Sequence, residues 1–163
     1  MRETYQNGIY VKGRVLLSES TVLHPGVSFF GTILLGPHCE IGPGSIIYGP
    51  TFIESDAMIG PNVEIRRSIL FTEVKIAHIA YIGHSIIGRR VNIGANLLTA
   101  VRNLKRKHVH LKIEDNLCDT GETHFGTIIA DDTEFGVNVT VMPGRMILNT
   151  RQIPANTTVY KNC

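Results

Sequence analysis

Tryptophan is missing from this 163-residue chain, and aromatic residues reach only 7%. Charged residues are sparse at 18%, against 43% hydrophobic. That balance excludes a disordered, solvated chain and leads us to expect one packed domain over 1–163. The charges nearly cancel, leaving +2 at neutral pH with histidines uncharged. Such a small excess argues against nucleic acid as a partner. Cysteine is scarce too: Cys39, Cys118 and Cys163 are scattered and odd in number. They form no CxxC pair, which speaks against a disulfide framework or a thiolate metal site and leads us to expect a reducing cytoplasm. No apolar run approaches the ~18 residues of a membrane span. The polar residues after Met1 do not form a signal-peptide core. A cytoplasmic protein with no membrane partner is expected.

What the chain has instead is a period of six. Val11, Leu17, Leu23, Phe29, Leu35, Ile41, Ile47, Ile53, Ile59, Ile65 and Phe71 follow one another at that spacing. A helix of period 3.6 would spread these residues over several faces, and a plain strand would also need every second residue to be apolar. A repeat of six fits a short strand plus a corner. Three such units close one triangular coil of 18 residues, so the expected fold is all-β, a parallel β-helix of about seven coils. Two residues before each large site stands a small or β-branched residue, such as Val27, Cys39, Ala57, Val63 or Ile69. Glycines that follow the large sites, Gly36, Gly42 and Gly60 among them, are expected to supply the unusual φ of corners.

The repeat falters at Lys75–Ala95. After Phe71 the large sites are Ile76, Ile82, Ile87 and Ile93, so 71→76 and 82→87 are steps of five. Such deletions are expected to pinch corners and re-aim side chains, including His78 and Asn92, much as a bulge does. The repeat, which runs over 11–99 and 125–160, is broken by residues 100–124. These read as a protruding loop with a short hairpin around Val109–Ile113 and a basic stretch, Lys105–Arg106–Lys107. Arg145 and Arg151 occupy sites that elsewhere hold small residues.

Three stretches, VEIRRSIL (63–70), AHIAYIGHSIIGRRVNIGA (77–95) and FGTIIADDTEFGVNVTVMPG (125–144), resemble one known family. It is the carboxyl-terminal acetyltransferase domain of bifunctional UDP-N-acetylglucosamine pyrophosphorylase / glucosamine-1-phosphate acetyltransferases, in particular their archaeal-type sugar-1-phosphate versions. These belong to the hexapeptide-repeat acyltransferase superfamily. The resemblance implies a left-handed helix, a homotrimer with active sites between neighbouring prisms, acetyl-coenzyme A as co-substrate and an amino-sugar 1-phosphate as acceptor. It also implies roles: His78 as general base, Glu64 as a carboxylate in the same site, and Arg66 as the cation on the sugar phosphate. Tyr81, Asn92 and Lys107 would contact substrate, and Ala95 and Ala155 would line the coenzyme groove. Val101 and His110 replace an asparagine and a lysine of the family. The nucleotidyltransferase domain of those enzymes is absent from these residues.

The chemistry fits these residue types. A histidine of ordinary pKa near ~6.5 can take a proton from an ammonium, which cannot itself attack a thioester. Glu64 falls one coil below Tyr81, so the two should stack. Arginine's planar fork suits phosphate oxygens, and either Arg66 or its neighbour Arg67 can face outward. Lys105, Arg106 and Lys107 can meet coenzyme or sugar phosphates. A second reading is a non-catalytic trimerising or regulatory β-helix. A third is a metal site of the γ-class carbonic anhydrase kind. His78 and His84 lie on adjacent faces of one coil, too far apart to share an ion, whereas His108 and His110 would point the same way across a subunit interface. No metal is expected for acetyl transfer. Which hydroxyl epimer, gluco or galacto, is accepted does not follow from the residues.

Overall fold

The computed structural model describes residues 3–148 and 152–163. Arg151, one of the two arginines noted above, lies outside the described residues. The chain winds into a left-handed parallel β-helix of triangular section. Its first face stacks Ile46–Tyr48, Glu64–Arg66, Tyr81–Gly83, Leu98–Thr99, Thr140–Val141 and Thr158–Val159. The second stacks Thr51–Ile53, Ile69–Leu70, Ile86–Ile87, Thr127–Ile129 and Arg145–Ile147. The long strand Ser28–Leu35 bends from one face into the other and pairs with both. A separate sheet of seven strands, from Val22–Leu23 to Gln152–Ile153, closes the third face. Most strands of the three faces send one large residue inward, with Thr99 in that place on Leu98–Thr99, and Phe29, Ile41, Ile47, Ile59, Ile65, Ile82 and Ile93 are buried in one continuous core.

The register differs from the sequence expectation at one point. Leu70, not Phe71, pairs with Ile53 and is wholly buried, while Ile69 faces out. The first short step is therefore Ile65→Leu70, not 71→76. The second, Ile82→Ile87, lies where the spacing puts it. Both shortened corners join the first face to the second, at Arg67–Ser68 and His84–Ser85. They do not flank His78, which turns the opposite edge of the first face. The small residue inside the first shortened corner is Ser68, not Ile69.

Hydroxyls stitch this corner together. Ser68 Oγ donates to the Arg66 carbonyl at 2.7 Å and accepts from Ser85 N at 3.1 Å. Ser85 Oγ donates to the Gly83 carbonyl at 2.6 Å and accepts from Thr127 N at 3.1 Å. Backbone amides that a shortened corner would leave unpaired are thus satisfied in the dry interior.

The other two corners also depart from expectation in one respect. Positive φ does not fall on the glycines that follow the large sites. It falls two residues later, at His38, Asp56, Glu73, Arg90 and Asp132 on one corner and Asn62, Ile79, Asn96, Asn138 and Asn156 on the other. The glycines are needed for close approach instead. A Cβ on Gly60 would meet the Ala77 carbonyl oxygen of the next coil at 1.4 Å.

Two antiparallel hairpins complete the chain. Glu3–Gln6 pairs with the start of Ile9–Leu17. His110–Ile113 pairs with Asn116–Asp119 inside the protruding loop, where a hairpin is expected. The loop leaves the prism at the same corner as the two shortened steps. Its neck is closed by a bond from Phe125 N to the Val101 carbonyl at 2.8 Å. It folds back along its own prism, burying Val109 and bonding Asn162 Nδ2 to the Lys112 carbonyl at 2.7 Å. Asn162 and Cys163 in turn pair with Met146 and Leu148, covering the last rung. Among the described residues there is no helix long and apolar enough to cross a membrane.

Candidate active site

Glu64, Arg66 and Tyr81 meet on the first face. Tyr81 sits directly over Glu64 in register, and Gly83 over Arg66. Arg66 Nε donates to Glu64 Oε1 at 2.5 Å. Its guanidinium carbon lies 3.8 Å from the centre of the Tyr48 ring, a cation–π contact. Tyr48 stacks on Phe30 at 4.9 Å, and Phe30 meets Tyr10 at 5.5 Å, so Arg66 terminates an aromatic column that climbs this face. The hydrogen bond to Glu64 raises the Arg66 pKa and keeps the guanidinium charged. Burial raises the pKa of the Tyr81 phenol despite the opposing charge of Arg66, so the hydroxyl stays protonated and can donate. A Cβ on Gly83 would touch the Tyr81 hydroxyl at 2.6 Å, which places that ring flat along its own strand.

His78 occupies the corner between the third and first faces. It holds the turn position that Pro43 and Pro61 fill in earlier coils. The same position in later coils is Ala95, Val137 and Ala155. The stack is continuous: Asn96 N donates to the His78 carbonyl at 3.0 Å, Asn138 N to Ala95 at 2.8 Å, and Asn156 N to Val137 at 2.9 Å. His78 and the two alanines thus form one column along an edge of the prism. The His78 side chain is exposed and, among the described residues, forms no side-chain hydrogen bond or ion pair. Beside it, Ile79 has φ 52°, a left-handed conformation that β-branched residues rarely adopt.

Asn92 lies on the third face, paired with Lys75 below and Glu134 above, in a recess that also includes Glu40, Met58 and Ala77. Within one chain it is therefore not brought to Glu64, Arg66 and Tyr81. His78 turns the corner between them. Lys107 is exposed in the loop, its backbone tied to Asn103, and does not line the cleft beside Arg66. His110 Nδ1 lies 3.2 Å from the His108 carbonyl oxygen, and His108 pairs with Asp119 at 3.1 Å. No group of three or more His, Cys, Asp or Glu among the described residues is placed to hold a metal ion. Arg145 sits at the far end, its guanidinium donating to the carbonyls of Pro143 and Tyr160, away from the Ala95–Ala155 edge.

A second set of residues gathers at the other edge of the first face, and of these Arg102 and His124 are not singled out by the sequence. An open cleft of about 710 Å³ is lined by Arg66, Arg67, Tyr81, His84, Val101, Arg102 and His124. His84 and His124 stack with ring centres 5.6 Å apart. Burial, with His124, Arg67 and Arg66 nearby, lowers the His84 pKa and favours the neutral ring. One signal was available: Arg67–Ser68 and His84–Ser85 are basic–serine pairs 17 residues apart, at the corners of the two shortened coils.

Residues 29–162 match the GMPPB C-terminal domain family. The chain belongs to this family. Relatives of this GMPPB/GlmU type carry their own names. A "Bifunctional protein GlmU" of Methanococcus maripaludis is 38% identical over 151 residues, 93% of this chain and 36% of the relative. A "Bifunctional sugar-1-phosphate nucleotidylyltransferase/acetyltransferase" of Sulfurisphaera tokodaii is 31% identical over 139 residues, 85% of this chain and 35% of the relative. The chain therefore spans little more than a third of these longer proteins. Among solved structures, the polysialic acid O-acetyltransferase OatWY shares the fold with a TM-score of 0.57 and 14% identity, covering 94% of this chain and 79% of that one. The family's β-helix is thus the frame on which both sets of residues stand.

Proposed function

We propose that this chain is an acetyl-coenzyme A-dependent N-acetyltransferase acting on an amino-sugar 1-phosphate, glucosamine-1-phosphate or galactosamine-1-phosphate. The observation that carries the reading is the placement of His78. Glu64, Arg66 and Tyr81 lie on one face meeting at its corner, Asn92 lies on the other, and Ala95 and Ala155 continue its edge. In this reading His78 takes the proton from the sugar ammonium. That proton leaves to solvent; the freed amine attacks the thioester carbonyl, the C–N bond forms, His78 takes the second proton from the adduct nitrogen, the C–S bond breaks, and this proton passes to the departing thiolate. Glu64 keeps Arg66 in place for the sugar phosphate, and Tyr81 and Asn92 hold the sugar. Ala95 and Ala155 leave room along the edge for the pantetheine arm. Lys107 would reach a phosphate from the loop. The Sulfurisphaera tokodaii relative is named a sugar-1-phosphate nucleotidylyltransferase/acetyltransferase, which supports the same assignment.

We read the assembly as a homotrimer and the compartment as cytoplasmic. Support for the trimer comes from the second face, where Leu16, Leu34, Phe52, Ile69 and Ile86 stack in register with their side chains partly exposed. A stripe of that length calls for cover. The three free cysteines fit a reducing compartment.

The test is direct. The protein is incubated with acetyl-coenzyme A and either amino-sugar phosphate, and thiol release is followed. His78→Ala should lower the rate by ~10²-fold or more. No release with either substrate would leave the non-catalytic β-helix as the reading, and an unchanged rate in His78→Ala would remove the base from that residue.

A further inference from the structure

We propose that the cleft on the opposite edge of the first face from His78 is a phosphoryl-binding subsite, in which Arg67 and Arg102 grip a dianionic phosphoryl group beside the His84–His124 pair. Three irregularities of the solenoid meet at this corner: the two shortened coils and the neck of the loop. The shortened coils put Arg67 and His84 in the left-handed region, at φ 45° and 48°. The loop neck brings Val101, Arg102 and His124 over the same opening.

The charges also fit. Arg66 is already matched by Glu64 at 2.5 Å. Among the described residues neither Arg67 nor Arg102 is in an ion pair, so two positive charges face the opening uncompensated. Two charges match a phosphoryl dianion, and two planar forks offer it paired N–H donors. His84, half-buried and neutral, adds one more N–H without further repulsion. A carboxylate, Glu122, faces His84 from the loop and lies with Arg67 in the adjoining recess of about 330 Å³. It moderates the field but leaves the main opening, lined by Arg102, to the anion. A volume near 710 Å³ admits more than a bare phosphate, so the phosphoryl group can belong to a larger molecule. Arg66 and Tyr81, which the proposed transfer uses, also line this cleft, so the subsite adjoins the acceptor site and rests on that reading for its neighbour. Arg67, Arg102, His84 and His124 take no part in the transfer chemistry, and their variants test the subsite apart from it.

Binding of a dianion next to His84 must favour its protonated form, and by linkage the His84 titration midpoint rises when phosphate binds. The groups facing that ring are His124, Arg67, Arg66 and Glu122. The experiment records the His84 and His124 ring resonances against pH, with and without inorganic phosphate, at fixed ionic strength. The expected result is an upward shift of the His84 midpoint with phosphate and none with chloride. Arg67→Gln and Arg102→Gln should each weaken phosphate binding by about tenfold, which is ~1.4 kcal/mol. Unmoved resonances, or a shift that survives in the double variant, would overturn the subsite. Amino-sugar 1-phosphate and nucleoside diphosphate-sugar are then titrated in the same way, and the tighter ligand identifies the source of the phosphoryl group. Thiol release measured alongside keeps the two ideas apart. Transfer without a phosphate-dependent shift refutes only the subsite, and a shift without transfer refutes only the enzyme.

Discussion

The side-chain amide of Asn96 donates to Oδ1 of Asn138 at 2.9 Å, and Asn138 repeats the bond to Asn156 at 2.8 Å. Asn62 stands on the same corner, but Ile79 lies between it and Asn96, so the amide ladder is broken at the residue beside His78. Asparagine tolerates the left-handed region and isoleucine does not. Ile79→Asn is therefore expected to stabilise the protein by about 1 kcal/mol and to raise Tm by roughly 2–4 °C. Thermal unfolding checks this, and an unchanged or lower Tm would show that Ile79 is not strained.

The stacking of Arg66 on Tyr48 predicts a binding effect. Tyr48→Phe keeps the ring and should leave kinetics nearly unchanged. Tyr48→Ala removes a contact worth ~0.5–1 kcal/mol and should raise KM for the phosphorylated substrate by a few-fold, with kcat retained. A fall in kcat at constant KM would assign Tyr48 some other part.

Gly83 predicts a different split. The atoms that an added methyl would meet are the free end of Tyr81, so the ring can lift while the backbone stays. Gly83→Ala should cost activity well before it costs stability. A loss of folding with normal residual turnover per folded molecule would contradict this.

His84 gives stability a pH dependence of known sign. Its folded pKa is lowered from 6.5, chiefly by burial. Below that value the unfolded chain binds the proton more readily, so stability present above pH ~6.5 is lost as pH falls through the folded pKa. His84→Asn, which keeps a residue tolerant of positive φ, should flatten the slope of the urea midpoint between pH 7.5 and 5.5. An identical slope would clear His84 of the effect.

The exposed second-face stripe predicts assembly behaviour. If the proposed homotrimer packs through it, Ile69→Glu, which puts a charge in the middle of that column, should leave a monomer in light scattering where the unaltered protein gives a trimer. A trimer that survives the change would move the interface to another face.

The period of six was legible because the interior of a triangular coil admits one large residue per strand and little else. It failed at Ile69–Leu70–Phe71, where three apolar residues in a row satisfy both registers. Only the hydroxyls of Ser68 and Ser85, needed inside the tightened corner, decide between them. Glu64, Arg66 and Tyr81 could be placed together from spacing because they share one face in adjacent coils. Arg67, His84, Arg102 and His124 could not. Two sit on corners whose position depends on the register, and two come from a loop whose path no repeat dictates. The repeat puts His78 at a corner of the first face, but the short steps tighten the other edge of that face and do not flank it.

The hydroxyl ladder at that edge has a consequence for engineering. Ser68, Ser85 and Thr127 carry the polar pairing across both shortened coils and past the loop, while ordinary coils resume on either side. Residues 64–127 are therefore expected to transfer as one unit with standard connectors. Spliced into another solenoid of 18-residue coils, the segment should carry its cleft and its loop with it, and the host would have to match only one rung at each end.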